Sequence, residues 1–180
     1  MHRLDRDTTG VLVVALTRSA AAFLAEAFKG RDAQKNYLAL VRGHPSPPEG
    51  KIANWLIRDP NDSEKMAVAK GKTKEAQRAV SVYETLDQSG QLTLLRLSPH
   101  TGRTHQLRVH CAHMGTPIIG DPKYFNVENW ALPGGLQTRL PHHAASITVP
   151  PPSGGTLSAS AAVSAHFRQS LSLLGLNPNG

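Results

Sequence analysis

Residues 2–7 carry an imidazole, two guanidiniums and two carboxylates (His2, Arg3, Asp5, Arg6, Asp7), followed at once by Thr8, Thr9 and Gly10. A carboxylate in such a setting can serve as a nucleophile, because it attacks when ionised and can leave again. Asp5 is the candidate, although charge spacing alone favours a plainer role, a loop aspartate ion-paired with Arg3 or Arg6. A third role, Asp5 and Asp7 as the acid/base pair of a glycoside-type hydrolase, fits poorly. Residues i and i+2 of an extended segment share a face only loosely, and no second carboxylate cluster follows. A buried Asp5 needs a cationic partner. The natural place for one is the second reactive stretch, residues 99–110, with Thr101, Arg103, His105, Arg108 and His110.

Other chemistries are weakly supported. His105, His110, Cys111 and His113 resemble a metal set, but His105 points away from His110 and His113 on a helix, and no carboxylate flanks them. These histidines read instead as core hydrogen-bonding groups or phosphate contacts, and His142 and His143 as structural. With no phosphate-cradling loop, dinucleotide fingerprint or Ser-His-Asp pattern, neither a cofactor nor a metal is implied.

The elements that hold these residues can be read from pattern. Residues 11–16 are apolar and β-branched, predicting a buried strand behind the Asp5 loop. Thr17 or Ser19 caps a helix to Lys29, with Phe23, Leu24, Ala27 and Phe28 on one face and Gly30 as its stop. Strands are expected over 35–41, carrying Tyr37, and over 51–57. Residues 79–86 and 92–97 form a hairpin turning at 87–90. A helix over 104–114 buries Leu107, Cys111 and Met114, and its N-terminal loop, 101–104, suits a carboxylate or phosphate. A strand ends at Val149, Ser164 caps a last helix with Phe167, Leu171 and Leu174 inward, and Gly175 closes it.

The chain has 180 residues, enough for one domain with a real core. Twenty Lys and Arg against 13 acidic residues leave a net charge of +7, which points to a polyanionic partner, most plausibly nucleic acid. Lys65, Lys70, Lys72, Lys74 and Arg78 cluster around Gly71 without interleaved aromatics, as in a loop that contacts a nucleic-acid backbone or is simply solvated. The single cysteine excludes an internal disulfide and fits a reducing, cytoplasmic setting. No apolar run is long enough to span a bilayer.

Four segments in order carry a resemblance: His2-Arg3-Leu4-Asp5 with Thr8-Thr9-Gly10, Lys35-Asn36-Tyr37-Leu38-Ala39, Thr101 to His110, and Ile119-Gly120-Asp121-Pro122-Lys123-Tyr124. Together they resemble the motifs of the RluA-type pseudouridine synthases, and Arg139 to Ala144 resembles a fifth, shorter segment. The departures are Thr9 where serine is usual and Pro141-His142 where the family is more apolar. The resemblance implies an α+β fold, a mixed and largely antiparallel sheet with flanking helices. It implies a catalytic domain over residues 1–175, incomplete at its beginning, with a disordered tail over 176–180. It implies isomerisation of uridine to pseudouridine in RNA, ribosomal RNA of the large subunit first and transfer RNA second, by a monomer without cofactor. A non-catalytic RNA-binding fragment is the alternative. By resemblance Asp5 is the nucleophile, attacking either the ribose anomeric carbon or C6 of the base. Arg103 is its partner, and Tyr37 stacks on the uracil and helps remove the C5 proton. Arg3, His2, Lys35, Thr101, His105 and Arg108 contact RNA or the base, with Lys65, Lys72 and Lys74 on the phosphates.

Overall fold

The strand over Gln34–Arg42 is buried on both faces along residues 38–41, and the rest of the sheet is laid out from it. Leu38 and Leu40 point to one side and Ala39 and Val41 to the other, as strand alternation requires. The computed structural model describes residues 2–30, 32–126, 128 and 130–179. Its elements in order are β1 (Thr9–Gly10), α1 (Arg18–Gly30), β2 (Gln34–Arg42), β3 (Glu49–Arg58), β4 (Met66–Val68), β5 (Gln77–Ser89), β6 (Leu92–Pro99), α2 (Gln106–His113), β7 (His142–Val149), β8 (Leu157–Ser160) and α3 (Ala165–Leu174).

The sheet runs β1-β7-β2-β6-β5-β3-β4, with β8 also on β7. All pairs are antiparallel except β1 with β7, so the expected largely antiparallel α+β fold is the one observed. One face packs on α2 through Ala39, Val41, Leu95, Leu97, Leu107 and Cys111. The other packs on α3 through Leu38, Leu40, Leu94, Phe167 and Leu171. Among the described residues no helix is long and apolar enough to cross a membrane.

Several expectations need correction. Residues 11–16 are not a buried strand: Leu12, Val14 and Leu16 are 51%, 68% and 94% exposed, and only Val11 and Val13 pack inward, with Leu24, Phe28 and Ile147. The reason lies in β8, whose polar Leu157–Ser160 sequence gave no sign of a strand. After the Val11 amide bonds Ala144, the next carbonyl of β7, at Ala145, is taken by the amide of Ala161, and β8 occupies the edge beyond. The basic segment is not all loop, since it contains β4. The hairpin strand extends through Ser89, past the expected turn, with a bulge between Thr85 and Asp87. After α3, Leu176 is buried and the Asn177 amide bonds the Asp87 carboxylate. Gly180 lies outside the described residues. Helix α1 begins as expected, with Thr17 Oγ1 accepting the Ala20 amide, but Phe23 is 40% exposed and outside its buried face.

Gly10 has a specific requirement. Its φ is +115°, and a Cβ there would lie 2.1 Å from the Ala144 oxygen, so only glycine lets the Asp5 loop enter against β7.

Candidate active site

The loop before β1, the start of β2 and the loop before α2 meet around a cavity of about 420 Å³. Asp5, Arg3, Tyr37, Lys35 and Arg103 all line it. The Asp5 loop is held by its own threonines. The Thr8 amide donates to the Asp5 carbonyl at 3.0 Å, closing a turn. Thr8 and Thr9 Oγ1 then reach Nδ1 of His142 and His143 on β7, at 2.9 and 2.8 Å. His143 Nε2 donates to the Ala161 carbonyl, so its Nδ1 accepts the Thr9 proton.

The partner of Asp5 is Arg108, not Arg103. Arg108 Nη1 lies 3.6 Å from the Asp5 carboxylate, and its Nε and Nη2 donate to the two Asp121 oxygens at 2.7 Å each. Arg103 instead donates through Nε to the Arg78 carbonyl. Gln106 explains the difference. Its Oε1 accepts the Arg103 amide and the Thr101 hydroxyl, and its Nε2 donates to the Val80 carbonyl and Ser81 Oγ, pinning the loop to β5. Helix α2 therefore starts at Gln106, two residues later than expected, with His105 before it at φ 53°. That start turns Arg103 toward β5 and Arg108 toward Asp5.

Burial works against ionisation of Asp121, but the Arg108 bonds and the Lys123 and Tyr124 amides outweigh it and hold its carboxyl below the usual range. Burial likewise opposes the Arg108 charge, which the bonds to Asp121 and the negative charges of Asp121 and Asp5 more than restore. Asp5, 19% exposed, thus faces the cavity beside a guanidinium whose orientation a fully buried carboxylate sets. A carboxylate so placed and held can act as a nucleophile toward a molecule in the cavity.

The other expected residues divide. Tyr37 is on β2, half-buried, its ring stacked on His142 at 5.2 Å. Burial, then the Asp5 charge, pushes its phenol up to about 12. It therefore stays protonated at neutral pH, a flat face and a hydroxyl donor toward the cavity. Lys35 has no acidic partner among the described residues, and burial pulls its ammonium below the usual range. It is a cation available to a phosphate. Arg3 is exposed at the rim.

His2 and Thr101 are committed internally: His2 stacks on Phe28 and accepts the Val13 amide, while Thr101 Oγ1 accepts the Val80 amide. Tyr124 Oη accepts the Met66 amide and is hydrogen-bonded to His105 Nδ1 at 2.7 Å. Arg108, expected on RNA, is nearly fully buried, with both faces of its role inside the protein. Lys65 pairs with Asp62 and Lys72 lies over Trp55; neither they nor Lys74 line the cavity. Sequence reasoning missed Asp121 as a site residue, although it stood in a matching motif.

Two further histidines, His110 and His142, are neutral, as their burial dictates. His110 Nε2 donates to Asn54 Oδ1, so its Nδ1 accepts from Ser81. Burial, then His113, lowers its pKa to about 4, and burial, then Arg108, lowers that of His142 to about 3. A depressed histidine pKa means the unfolded chain binds the extra proton first. Stability therefore falls as pH drops from about 6.5 toward those values, by several kcal/mol in all. Urea unfolding followed between pH 7 and 5 should show this loss, and a flat profile across that window would contradict neutral burial of the two rings.

Comparison with known proteins agrees with the geometry. Residues 1–113 match the family model described as RNA pseudouridylate synthase. The dual-specificity RNA pseudouridine synthase RluA of Salmonella typhi is 41% identical over 86% of this chain and 68% of its own length. The ribosomal large subunit pseudouridine synthase D of Borreliella burgdorferi is 41% identical over 71% of this chain, which spans only 38% of that protein's length. The structure of human RNA pseudouridylate synthase domain containing 4 superposes with a TM-score of 0.82 at 29% identity, covering 99% of this chain and 76% of that one. With three of its four motifs lining one cavity and these relatives beside it, the chain belongs to the RNA pseudouridylate synthase family, of the RluA type.

Proposed function

We propose that this chain isomerises uridine to pseudouridine within RNA, with Asp5 as the nucleophile. The observation that carries the reading is the Asp5 carboxylate at the cavity, 3.6 Å from an arginine that a buried aspartate holds by two bonds. The target base is flipped out of its strand to reach the carboxylate. Asp5 attacks the ribose anomeric carbon or C6 of the uracil, the bond from N1 to the sugar breaks, the base turns and bonds to the sugar through C5 as Asp5 leaves, and the proton lost from C5 is balanced by one gained at N1. Tyr37 offers its face to the uracil, a contact of about 1–3 kcal/mol. Lys35, Arg3 and Arg103 meet phosphates at the rim. The cavity, about 420 Å³, falls within the ~300–1,000 Å³ of small-ligand sites, so it has room for an extruded base.

Large-subunit ribosomal RNA is the preferred substrate and transfer RNA the second. The first is supported by the name of the Borreliella relative. The reading carries a monomeric, cytoplasmic enzyme that needs no metal or nucleotide. The test is incubation of the chain with large-subunit ribosomal RNA fragments and with transfer RNA, followed by chemical mapping of pseudouridine and assay of free uracil. Pseudouridine without uracil release supports the reading. Uracil release indicates a hydrolase, and RNA binding with unchanged uridine indicates the non-catalytic fragment.

A further inference from the structure

His142 is the first residue of β7, only 4% exposed, and it lines the cavity with Thr8 and Tyr37. Its Nδ1 meets Thr8 Oγ1 at 2.9 Å, and Thr8 closes the turn that presents Asp5. The face of its ring lies against Tyr37 at 5.2 Å and 24°. Its Nε2 is buried and meets no protein group. The neighbouring His143 uses both nitrogens to tie the chain to the sheet, so His142 is not needed as a second copy of that tie. A leucine would fill similar space without an unpaired buried nitrogen, so packing alone does not account for an imidazole here. The ring is kept neutral by burial and by the nearby Arg108, and so does not compete with Arg108 for Asp5.

We propose that His142 is a positioning residue for the isomerisation, locking the Asp5 turn, through Thr8, to the face of Tyr37. The inference rests on the reading of Asp5 and Tyr37 given above. The experiment compares the chain with T8V, T8S, H142L and T8V/H142L, measuring kcat and KM for pseudouridine formation alongside the melting temperature. T8V is expected to lower kcat about tenfold or more with KM within about twofold, since a small misplacement of the nucleophile is costly. T8S should restore most of the rate. H142L should lose at least as much as T8V, and the double variant should fall no further than H142L, because the shared bond is lost only once. H142L should melt close to the wild type, as it also removes an unpaired buried nitrogen, whereas T8V leaves His142 Nδ1 without its partner and should melt lower than T8S.

T8V at the wild-type rate, or losses that multiply in the double variant, would overturn the inference while leaving the nucleophile intact. Should H142L not fold, the T8V and T8S pair decides. A wild-type chain that makes no pseudouridine sinks both readings together.

Discussion

Replacing Asp5 by asparagine is expected to lower pseudouridine formation by about 10⁴-fold or more, the scale of losing one member of a catalytic set. The amide keeps the shape of the side chain and removes the negative oxygen that attacks. The fold should barely register the change, and the structure says why. Arg108 retains its two bonds to Asp121, so losing Asp5 leaves no buried charge without a partner. RNA affinity should stay within a few-fold, since the phosphate contacts proposed above are those of Lys35, Arg3 and Arg103 and not of Asp5. Single-turnover assays, with the protein in excess over RNA and well above the Kd, separate the rate from binding. Turnover within an order of magnitude of wild type would remove Asp5 from the chemistry.

Arg108→Ala should be the more damaging change, because it fails twice. It frees Asp5 from the group that aims it, and it strands Asp121, whose side chain is 0% exposed, as an uncompensated buried carboxylate. Breaking such a pair costs about 3–5 kcal/mol, a large share of the ~5–15 kcal/mol that holds a domain together. Thermal unfolding should therefore show a drop of about 6–20 °C at this chain length, together with loss of turnover. Arg108→Lys keeps the charge but cannot form the two-pronged contact, and should recover part of the stability and little of the activity.

Arg103→Ala provides the contrast. Its side chain holds only the Arg78 carbonyl and sits exposed at the rim, so it should raise KM and flatten the salt dependence of binding while leaving kcat within about tenfold. The reverse pattern, a dead Arg103→Ala beside an active Arg108→Ala, would show that the loop rearranges to bring Arg103 onto Asp5 when RNA binds.

The choice between these two arginines was not legible from composition or spacing. They stand five residues apart in one motif, and either reaches Asp5 depending on where helix α2 begins. That start is set by Gln106, through bonds to Val80 and Ser81 more than twenty residues away on β5. Asp121 was hidden for a related reason: a carboxylate in a Gly-Asp-Pro loop reads as a turn residue until the guanidinium it holds is known. The segment 11–16 misled in the opposite way. Its apolar run predicts cover on both faces, but a serine-rich strand with no apolar signature, β8, takes the edge it would have extended along.

Motif and periodicity were enough to pick out the three stretches that line the cavity, residues 2–5, 35–37 and 101–105, and most of the elements that hold them. Periodicity located β2, β5, β6, α1 and α3 within a few residues, and Thr17 and Gly175 marked a helix start and a helix end as capping chemistry requires. The order of four motifs carried the family. Only the tertiary structure decided how those pieces meet: Arg108 and not Arg103 on Asp5, Asp121 behind Arg108, Thr8 and Thr9 tied to consecutive histidines, and Leu176 in the core. Each of these is a contact between residues distant in sequence or displaced by a helix start. Local propensity carries no information about such contacts, because their energy arises only when the sheet brings the partners together.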